Sequence, residues 1–378
     1  MKNNKKSSAS CAKKTSIGGQ ALMEGIMMRG PEITAMAVRN TDGEIVIESF
    51  PTEGKKRHKF FKLPVIRGVF NYIDSMVLGT KCLMRSAEIS GLEDAEKEMK
   101  REKAEKKAAR AAKKAKSDKL EQGLPHSEPD DATKPDDSLE AVTEETKKEG
   151  KKESSALLNA VMVFSVLLGI LFSVALFIVV PSYLYKGATY LLPFLKGNNP
   201  AVQSLIKSVF EGVFKIVILI GYMAVISLMK DIKRTFMFHG AEHKAIFCYE
   251  QGLPLTVENI KKQKRFHPRC GTSFLILMVL VGIFVSFFID PLFFLIFGYL
   301  PITLIRVLIK LLLLPIIVGI GYELIKIAGR YDNIFTRIIS APGVWLQHIT
   351  TKEPDDDMIE CAIAALEKVI PDNDSDRW

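Results

Sequence analysis

The chain has 378 residues, a formal net charge of +9 and a hydrophobic content of 48%. Its apolar residues are concentrated in a few long runs, which excludes an ordinary soluble protein of two or three domains and predicts a membrane protein. Much of the positive charge lies in flanks and linkers, as the positive-inside rule requires. The lipid bilayer is therefore the expected partner, and a nucleic-acid partner is not expected.

The cysteines argue against a disulfide framework. They are odd in number, widely spaced and contain no C-x-x-C pair: Cys11, Cys82, Cys248, Cys270 and Cys361. This pattern agrees with a reducing cytoplasm on the side of the membrane where they lie.

Residues 1–16 are polar and lysine-rich, with no apolar core behind them, so they predict a disordered tail and no signal peptide. Residues 17–91 follow as a second region. It begins with a glycine-rich segment, residues 17–31, whose only charged side chains are Glu24 and Arg29. Its glycines predict a loop that cradles a ligand, with Glu24 and Arg29 as candidate site residues, or alternatively a hinge packed against the membrane domain.

Two further elements are predicted in the same region. Residues 34–39 and 44–50 alternate apolar with polar residues around Thr41-Asp42-Gly43, which predicts a β-hairpin. Residues 63–89 are mostly apolar but carry charges at regular intervals. They predict an amphipathic helix lying against the bilayer or the bundle, with a deeply packed or re-entrant helix as the alternative.

Residues 92–154 form a charged linker, predicted to be disordered. Residues 97–119 carry eleven Lys or Arg among alanines and glutamates, and the remainder is acidic and polar. Such a run could contact anionic lipid or ribosomal RNA, but a solvated linker is the favoured interpretation.

Four apolar segments are long enough to cross the bilayer, two in residues 155–230 and two in residues 272–328. They are residues 157–180, 209–229, 272–289 and 302–326, the third closed by Asp290-Pro291 and the fourth kinked at Pro315. Residues 231–271, between the second and third segments, carry eight Lys or Arg, against two in the loop after the first. This asymmetry places the central stretch and both termini in the cytoplasm of a cell-membrane protein.

Few charged residues of these segments could line a transport path: Glu211, Lys215, Arg306 and Lys310. Snorkelling of long side chains to the membrane surface is the expected explanation. A transporter would need more polar groups along its helices.

The central segment, residues 231–271, contains the H-x-x-E-H order found in inverted zincins. It reads His239-Gly240-Ala241-Glu242-His243. On a helix, His239 and His243 lie one turn apart and could bind one metal ion, most suitably zinc. Glu242 lies on the same broad face and could act as a general base towards water activated by the ion.

Two histidines do not complete a catalytic zinc site, which has about three protein ligands. His267 and Cys270, in the sequence His-Pro-Arg-Cys-Gly, are the candidates to complete it if a loop folds them over the helix. Glu250 lies two turns beyond His243 and is expected to support the ligands rather than bind the metal. The alternatives are that the histidines are ordinary interfacial residues, or that Cys270 is a nucleophile acidified by Arg269 and His267.

Residues 329–378 form a cytoplasmic C-terminal segment. Residues 340–343, Ser-Ala-Pro-Gly, predict a break, and Trp345 suits an interfacial anchor. His348 is a weak fourth metal candidate. Acidic residues at 353–357 then predict the start of an amphipathic helix that ends near Val369.

Several motifs taken together resemble the YqhQ family of bacterial multi-pass membrane proteins. They are IGGQALMEGIMMRGP at residues 17–31, FHGAEHK at 238–244, LTVEN at 255–259, HPRCGTSFL at 267–275 and TTKEP at 350–354. The resemblance covers roughly two thirds of the chain and omits the charged linker. It implies a domain-of-unknown-function family described as predicted metal-dependent enzymes.

The expected fold is therefore a mainly α-helical membrane protein. It has about four transmembrane helices, a small N-terminal β-hairpin element, a cytoplasmic central helical loop and a C-terminal amphipathic helix. The first hypothesis is a metal-dependent hydrolase with its site at the cytoplasmic membrane surface, acting on a membrane peptide or a lipid-linked compound. The second is a non-catalytic scaffold or assembly factor that binds protein partners through its cytoplasmic segments.

Overall fold

The computed structural model describes residues 14–52, 58–91, 164–197, 199–331 and 333–377. Most of the predicted N-terminal tail and the whole charged linker lie outside these residues. The chain divides into two compact units, one made of residues 1–93 and 181–378 and the other of residues 94–180. All the packing described below lies within the first unit.

Four antiparallel strands form a meander, β1 (Gly18–Leu22), β2 (Gly25–Arg29), β3 (Ile33–Arg39) and β4 (Ile45–Pro51). The predicted hairpin is β3 and β4. The glycine-rich segment, expected to be a loop or hinge, instead forms β1 and β2. Ile26 and Met28 of β2 are fully buried in the core. This packing outweighs the weak strand preference of the surrounding glycines.

Helix α1 (Ile66–Ile89) confirms the predicted amphipathic helix. At its beginning it packs against helix α7 (Thr303–Arg330), where Arg67 forms an ion pair with Glu323. Asn71 donates a hydrogen bond to the Tyr322 hydroxyl at 2.9 Å. At its other end, the Ser86 hydroxyl accepts a hydrogen bond from the Met23 amide, so α1 connects an apolar helix to the sheet.

Four helices of the described chain are long and apolar enough to cross a membrane. They are α2 (Phe164–Leu191, with a π-helical turn at Ala175–Val179), α3 (Pro200–Ile226), α6 (Gly271–Phe297) and α7. Helix α2 continues past Lys186, which was expected in a loop. Helix α6 continues through Pro291, so Asp290-Pro291 does not end it; proline is tolerated in apolar spans because the surrounding structure can satisfy the freed carbonyl.

Three of the charged residues expected to snorkel, Glu211, Arg306 and Lys310, instead form pairs between helices of the bundle. Arg306 donates two hydrogen bonds to Asp290, at 2.7 and 2.8 Å. Glu211 accepts hydrogen bonds from Lys310 at 2.9 Å and from Ser182 at 2.7 Å. The sequence analysis placed Glu211, Arg306 and Lys310 inside the apolar segments but put Asp290 at a helix end, and it did not identify the pairs.

The remaining helices are α4 (Lys230–Glu250), α5 (Val257–Lys261), α8 (Ile334–Thr350) and α9 (Asp356–Glu367). Helix α8 packs against α6 and α7. Strands β2 and β3 and helices α4, α5 and α9 surround one apolar core. Its fully buried members include Ala245, Ile359 and Leu366. Helix α9 therefore packs its apolar side against strands β2 and β3, as its predicted amphipathic character requires.

The break predicted at residues 340–343 is wrong, because α8 runs through Pro342 and Gly343. Gly343 lies directly against α6: a side-chain carbon added there would come within 2.4 Å of Ser273 Cβ. The glycine therefore serves close contact between two helices rather than a turn.

Candidate metal centre

Helix α4 positions the H-x-x-E-H motif on a buried face. Glu242 is 5% exposed and His243 is 1% exposed. The rings of His239 and His243 lie 4.4 Å apart between centroids, as residues one helical turn apart should.

His239 contacts Cys270 from the beginning of α6. Its Nε2 lies 3.0 Å from Cys270 Sγ, and its Nδ1 lies 2.8 Å from the Thr350 carbonyl. Because a carbonyl only accepts hydrogen bonds, Nδ1 carries the proton that is donated to Thr350, and in a neutral ring the lone pair of Nε2 faces the thiol. A carbonyl holding the far nitrogen of a histidine is the usual support of a metal ligand.

His243 has the same arrangement. Its Nδ1 lies 2.5 Å from the Arg265 carbonyl, which again leaves the lone pair on Nε2. This Nε2 atom is buried and has no hydrogen-bond partner among the described residues. Buried polar atoms without a partner are rare and costly, so the atom calls for a ligand.

His239, His243 and Cys270 each offer one ligand atom, and these three atoms lie within 4.8 Å of one another. All three residues are buried. Cys270 is also the N-cap of α6, where its Sγ accepts a hydrogen bond from the Thr272 amide at 3.3 Å. Two histidines and a cysteine fit the donor types that zinc prefers, with a fourth position left for water or substrate.

Without a bound metal, the cluster favours a thiolate on Cys270 and an imidazolium on His239, and a metal ion bound there would replace the proton on His239 Nε2. Burial raises the pKa of the Cys270 thiol, but the nearby His239 and His243 outweigh burial and hold this pKa well below its usual range. Burial lowers the pKa of His239, but Cys270 and Glu242 outweigh it and raise this pKa to about 9. Cys270 is therefore a thiolate, the form in which cysteine binds a metal.

Glu242 lies beside the cluster but is not one of its three close ligand residues. Burial raises the pKa of its carboxyl, although His239 and His243 oppose the rise. The carboxylate accepts a hydrogen bond from the backbone amide of Gly19 in β1. A side-chain carbon added at Gly19 would lie 2.9 Å from Glu242 Cδ, so glycine allows β1 to approach the motif.

His267 does not join the three ligand residues. Its Nδ1 accepts a hydrogen bond from the Arg269 amide at 3.3 Å, and its Nε2 lies 3.7 Å from Glu250 Oε2. Burial lowers the pKa of His267 to about 4, despite the opposing effect of Glu250. Glu250 also binds Arg269 and the Thr15 amide, so this pair supports the segment that carries Cys270.

Gln347 of α8 fixes the same segment, a role that the sequence analysis did not assign. Its Oε1 accepts from the His267 amide, and its Nε2 donates to the His267 carbonyl, both at 2.7 Å. A third bond runs to Ser273 Oγ at 3.0 Å. A single glutamine 80 residues away carries no spacing signal, so only the fold reveals it.

The other candidates are separate from the cluster. Glu24, in the turn after β1 with a positive φ of 50°, binds Arg234 at 2.5 to 2.6 Å. His348 is exposed and packs on Phe266, with ring centroids 4.3 Å apart. Arg29, at the end of β2, lines the cavity described next.

A cavity of about 400 Å³ opens beside the cluster. Its walls include Glu242, His243 and Cys270, the backbone of β1 around Gly19, and Arg29. The volume lies within the usual range for small-molecule sites, roughly 300 to 1,000 Å³. The buried ligands therefore have access to a space large enough for a substrate.

The fold and this cluster define the class: a membrane protein with four apolar helices and a buried His-His-Cys centre at the end of one of them. The profile of the family described as "Protein of unknown function (DUF1385)" matches residues 63–372, and the chain belongs to this family. The chain is also 32% identical over 357 residues to "Uncharacterized protein YqhQ" of Bacillus subtilis (strain 168), covering 93% of this chain and 92% of that protein. No solved structure matches significantly.

Proposed function

We propose that this protein is a metal-dependent hydrolase whose site faces the cytoplasm at the surface of the cell membrane. The observation that carries the proposal is the buried Nε2 of His243, which has no hydrogen-bond partner among the described residues and lies in a cluster with His239 and Cys270. A divalent cation, most suitably zinc, would satisfy this atom and balance the thiolate.

The chain supplies the ligands already oriented. Backbone carbonyls of Thr350 and Arg265 hold the two imidazoles, and the first turn of α6 holds the sulfur of Cys270. When bound, zinc polarises a carbonyl or phosphoryl group and makes water more acidic. A three-residue ligand set with an adjacent cavity is typical of a catalytic rather than a structural zinc site.

Glu242 would act as the general base. It faces the same cavity as the cluster and is held by the Gly19 amide. It would take one proton from the attacking water and return it to the leaving group as the scissile bond breaks. Glu250 and Gln347 would act as positioning residues, since they contact the His-Pro-Arg-Cys segment rather than the cavity end of Glu242.

The cytoplasmic orientation rests on charge and on chain ends. Eight Lys or Arg lie in residues 231–271, between the second and third apolar helices. The Thr15 hydroxyl donates a hydrogen bond to Asp376 at 2.7 Å, so the two ends of the described chain lie on one side with α4. The four apolar helices of the described ranges are an even number, which agrees with both ends lying on one side of the membrane.

The decisive experiment measures metal in detergent-purified protein by mass spectrometry, prepared without chelator. Wild type is compared with His239→Ala/His243→Ala and with His348→Ala, an exposed histidine outside the cluster. About one zinc per chain in wild type and His348→Ala, with loss in the double variant, is the expected result. Folded wild type without transition metal would overturn the proposal.

Glu242→Gln separates catalysis from metal binding. The variant is expected to retain metal, because Glu242 is not one of the three clustered ligands, but to lose hydrolytic activity. The alternative function is a non-catalytic scaffold that binds protein partners. Its signature would be full function in cells carrying Glu242→Gln, because this near-isosteric change preserves shape.

A further inference from the structure

Arg29 is a positive charge without a matching negative charge. Its guanidinium forms no ion pair with any carboxylate in the described ranges, and it donates one long hydrogen bond, of 3.5 Å, to Ser75 Oγ of α1. The neighbouring Arg269, by contrast, is paired with Glu250. A partly buried, unpaired arginine in a cavity wall is suited to bind an anion.

Arg29 lies between two cavities. The first is the 400 Å³ cavity of the metal centre, and the second has a volume of about 540 Å³. Arg29 and Leu78 line both, so the cavities lie side by side along α1. The first contains Glu242, His243 and Cys270, whereas the second is lined by the sheet and by α1.

The second cavity has an apolar floor and a charged rim. Met36 and Phe50 of the sheet face Ile73, Val77 and Leu78 of α1 across it. Lys81 and Arg85 lie at its edge with the carboxylates Glu48 and Asp74, and Glu48 is bound to Arg85. Ile73 and Val77 are 47% and 51% exposed, so α1 presents apolar surface on the side of this cavity.

Arg29 therefore joins two different spaces: the first cavity holds residues of the ligand cluster, and the second is lined by apolar side chains of α1 and the sheet. We infer that the two cavities together bind an anionic lipid, with its charged head group on Arg29 and its hydrocarbon chain against Ile73 and Val77. The inference rests on the proposed function, because it names the substrate class of the proposed hydrolase site. A peptide would need paired polar partners for its backbone, which the apolar floor does not offer.

The binding test titrates three probes into the detergent-purified full chain and measures their affinities by calorimetry. Dihexanoyl-phosphatidic acid carries head group and chains, dihexanoylglycerol carries chains alone, and inorganic phosphate carries charge alone. Phosphatidic acid is expected to bind at least about tenfold more tightly than either of the other probes. Equal binding of dihexanoylglycerol would overturn the role of charge, and equal binding of phosphate would overturn the lipid.

Variants locate the two contacts. Arg29→Gln is expected to weaken binding of phosphatidic acid by about tenfold or more, the loss typical of a charged hydrogen bond, and Arg29→Lys by less. Lys368→Gln, an exposed charge outside both cavities, is the matched control. Unchanged affinity in both Arg29 variants would overturn the inference.

The hydrocarbon contact is tested by Ile73→Gln/Val77→Gln, with Met84→Gln as control. Met84 lies on the same helix and is 51% exposed but lines neither cavity. The double variant is expected to weaken phosphatidic acid binding by about tenfold and the control to leave it unchanged. Equal affinities in the two would contradict the placement of the chain.

Metal content of the same samples separates this inference from the proposed function. Arg29→Gln is expected to retain the wild-type metal content, since Arg29 is not a ligand. Metal without lipid binding would remove the inference alone. Lipid binding without metal would remove the hydrolase and leave the lipid site.

Discussion

Polar groups buried between the apolar helices differ from those buried in the middle of α4. In the apolar bundle, Asp290 pairs with Arg306 through two hydrogen bonds and Glu211 pairs with Lys310. In the middle of α4, His243 has a buried nitrogen without a hydrogen-bond partner in the described chain.

This difference distinguishes polar groups that stabilise the fold from polar groups that are available to a ligand. A charge in a low-dielectric interior needs a partner, and the bundle provides one from a neighbouring helix. The carbonyls of Thr350 and Arg265 also fix the two histidine rings of the ligand cluster, but each accepts a hydrogen bond only from Nδ1. The Nε2 atom of His243 is left for a ligand that the chain itself does not supply.

The largest effect is expected from breaking the bundle pair. Asp290→Ala leaves the partly buried Arg306 without its carboxylate partner and should destabilise the fold by about 3 kcal/mol, measured by denaturant unfolding in detergent micelles. The double variant Asp290→Leu/Arg306→Met should recover most of this loss, because neither charge remains. A single variant as stable as wild type would show that the pair is solvated.

Gln347→Met is expected to cost about 3 kcal/mol. It leaves the buried amide and carbonyl of His267 without partners, and each such group costs roughly 1 to 3 kcal/mol. Unfolding and metal content are measured together, because the same segment carries Cys270. Gln263→Met is the control, since that amide binds only the Asn259 carbonyl of its own turn and should be nearly neutral.

Metal addition tests the open side of the cluster. Zinc at a hundred times its dissociation constant should stabilise wild type by about 2.7 kcal/mol, and a chelator should reverse the gain. Thermal unfolding with and without zinc measures it. His243→Ala should abolish the response while His348→Ala retains it. A response in both variants would indicate binding elsewhere.

Gly19→Ala should give the smallest effect, about 1 to 2 kcal/mol, because the new methyl group would come within 2.7 Å of the Met27 carbonyl and 2.9 Å of Glu242 Cδ. Gly18→Ala is its neighbour in the same strand and has no atom within 4 Å of the added carbon. It should change stability by less than about 0.5 kcal/mol. Equal effects of the two variants would place Glu242 away from β1.

The sequence predicted the apolar helices more completely than it predicted the members of the ligand cluster. Apolar runs identified the spanning helices because a bilayer requires about 20 apolar residues in a row. The spacing of His239, Glu242 and His243 placed them on one helical face for the same kind of local reason. The third member of the cluster stayed open between His267 and Cys270, since a loop can present either residue.

Single prolines and glycines predicted the ends of helices less reliably than the spacing of apolar residues predicted the helices themselves. Pro291, Pro342 and Gly343 indicated breaks, yet α6 and α8 run through them. The glycines of residues 17–31 indicated a loop, yet they form two strands of the sheet. In each case packing with a neighbouring element outweighed a local preference of about 1 kcal/mol for glycine or about 3 kcal/mol for proline.

The sequence by itself therefore determined what depends on neighbours along the chain: the apolar helices, the H-x-x-E-H face and the amphipathic character of α1 and α9. Only the tertiary structure decided what depends on residues far apart. It set Cys270 beside His239, Gly19 against Glu242, Gln347 on the His267 backbone and Arg29 between two cavities. The physical reason is that periodicity is written in local spacing, whereas the partner of a buried polar group is chosen by the whole fold.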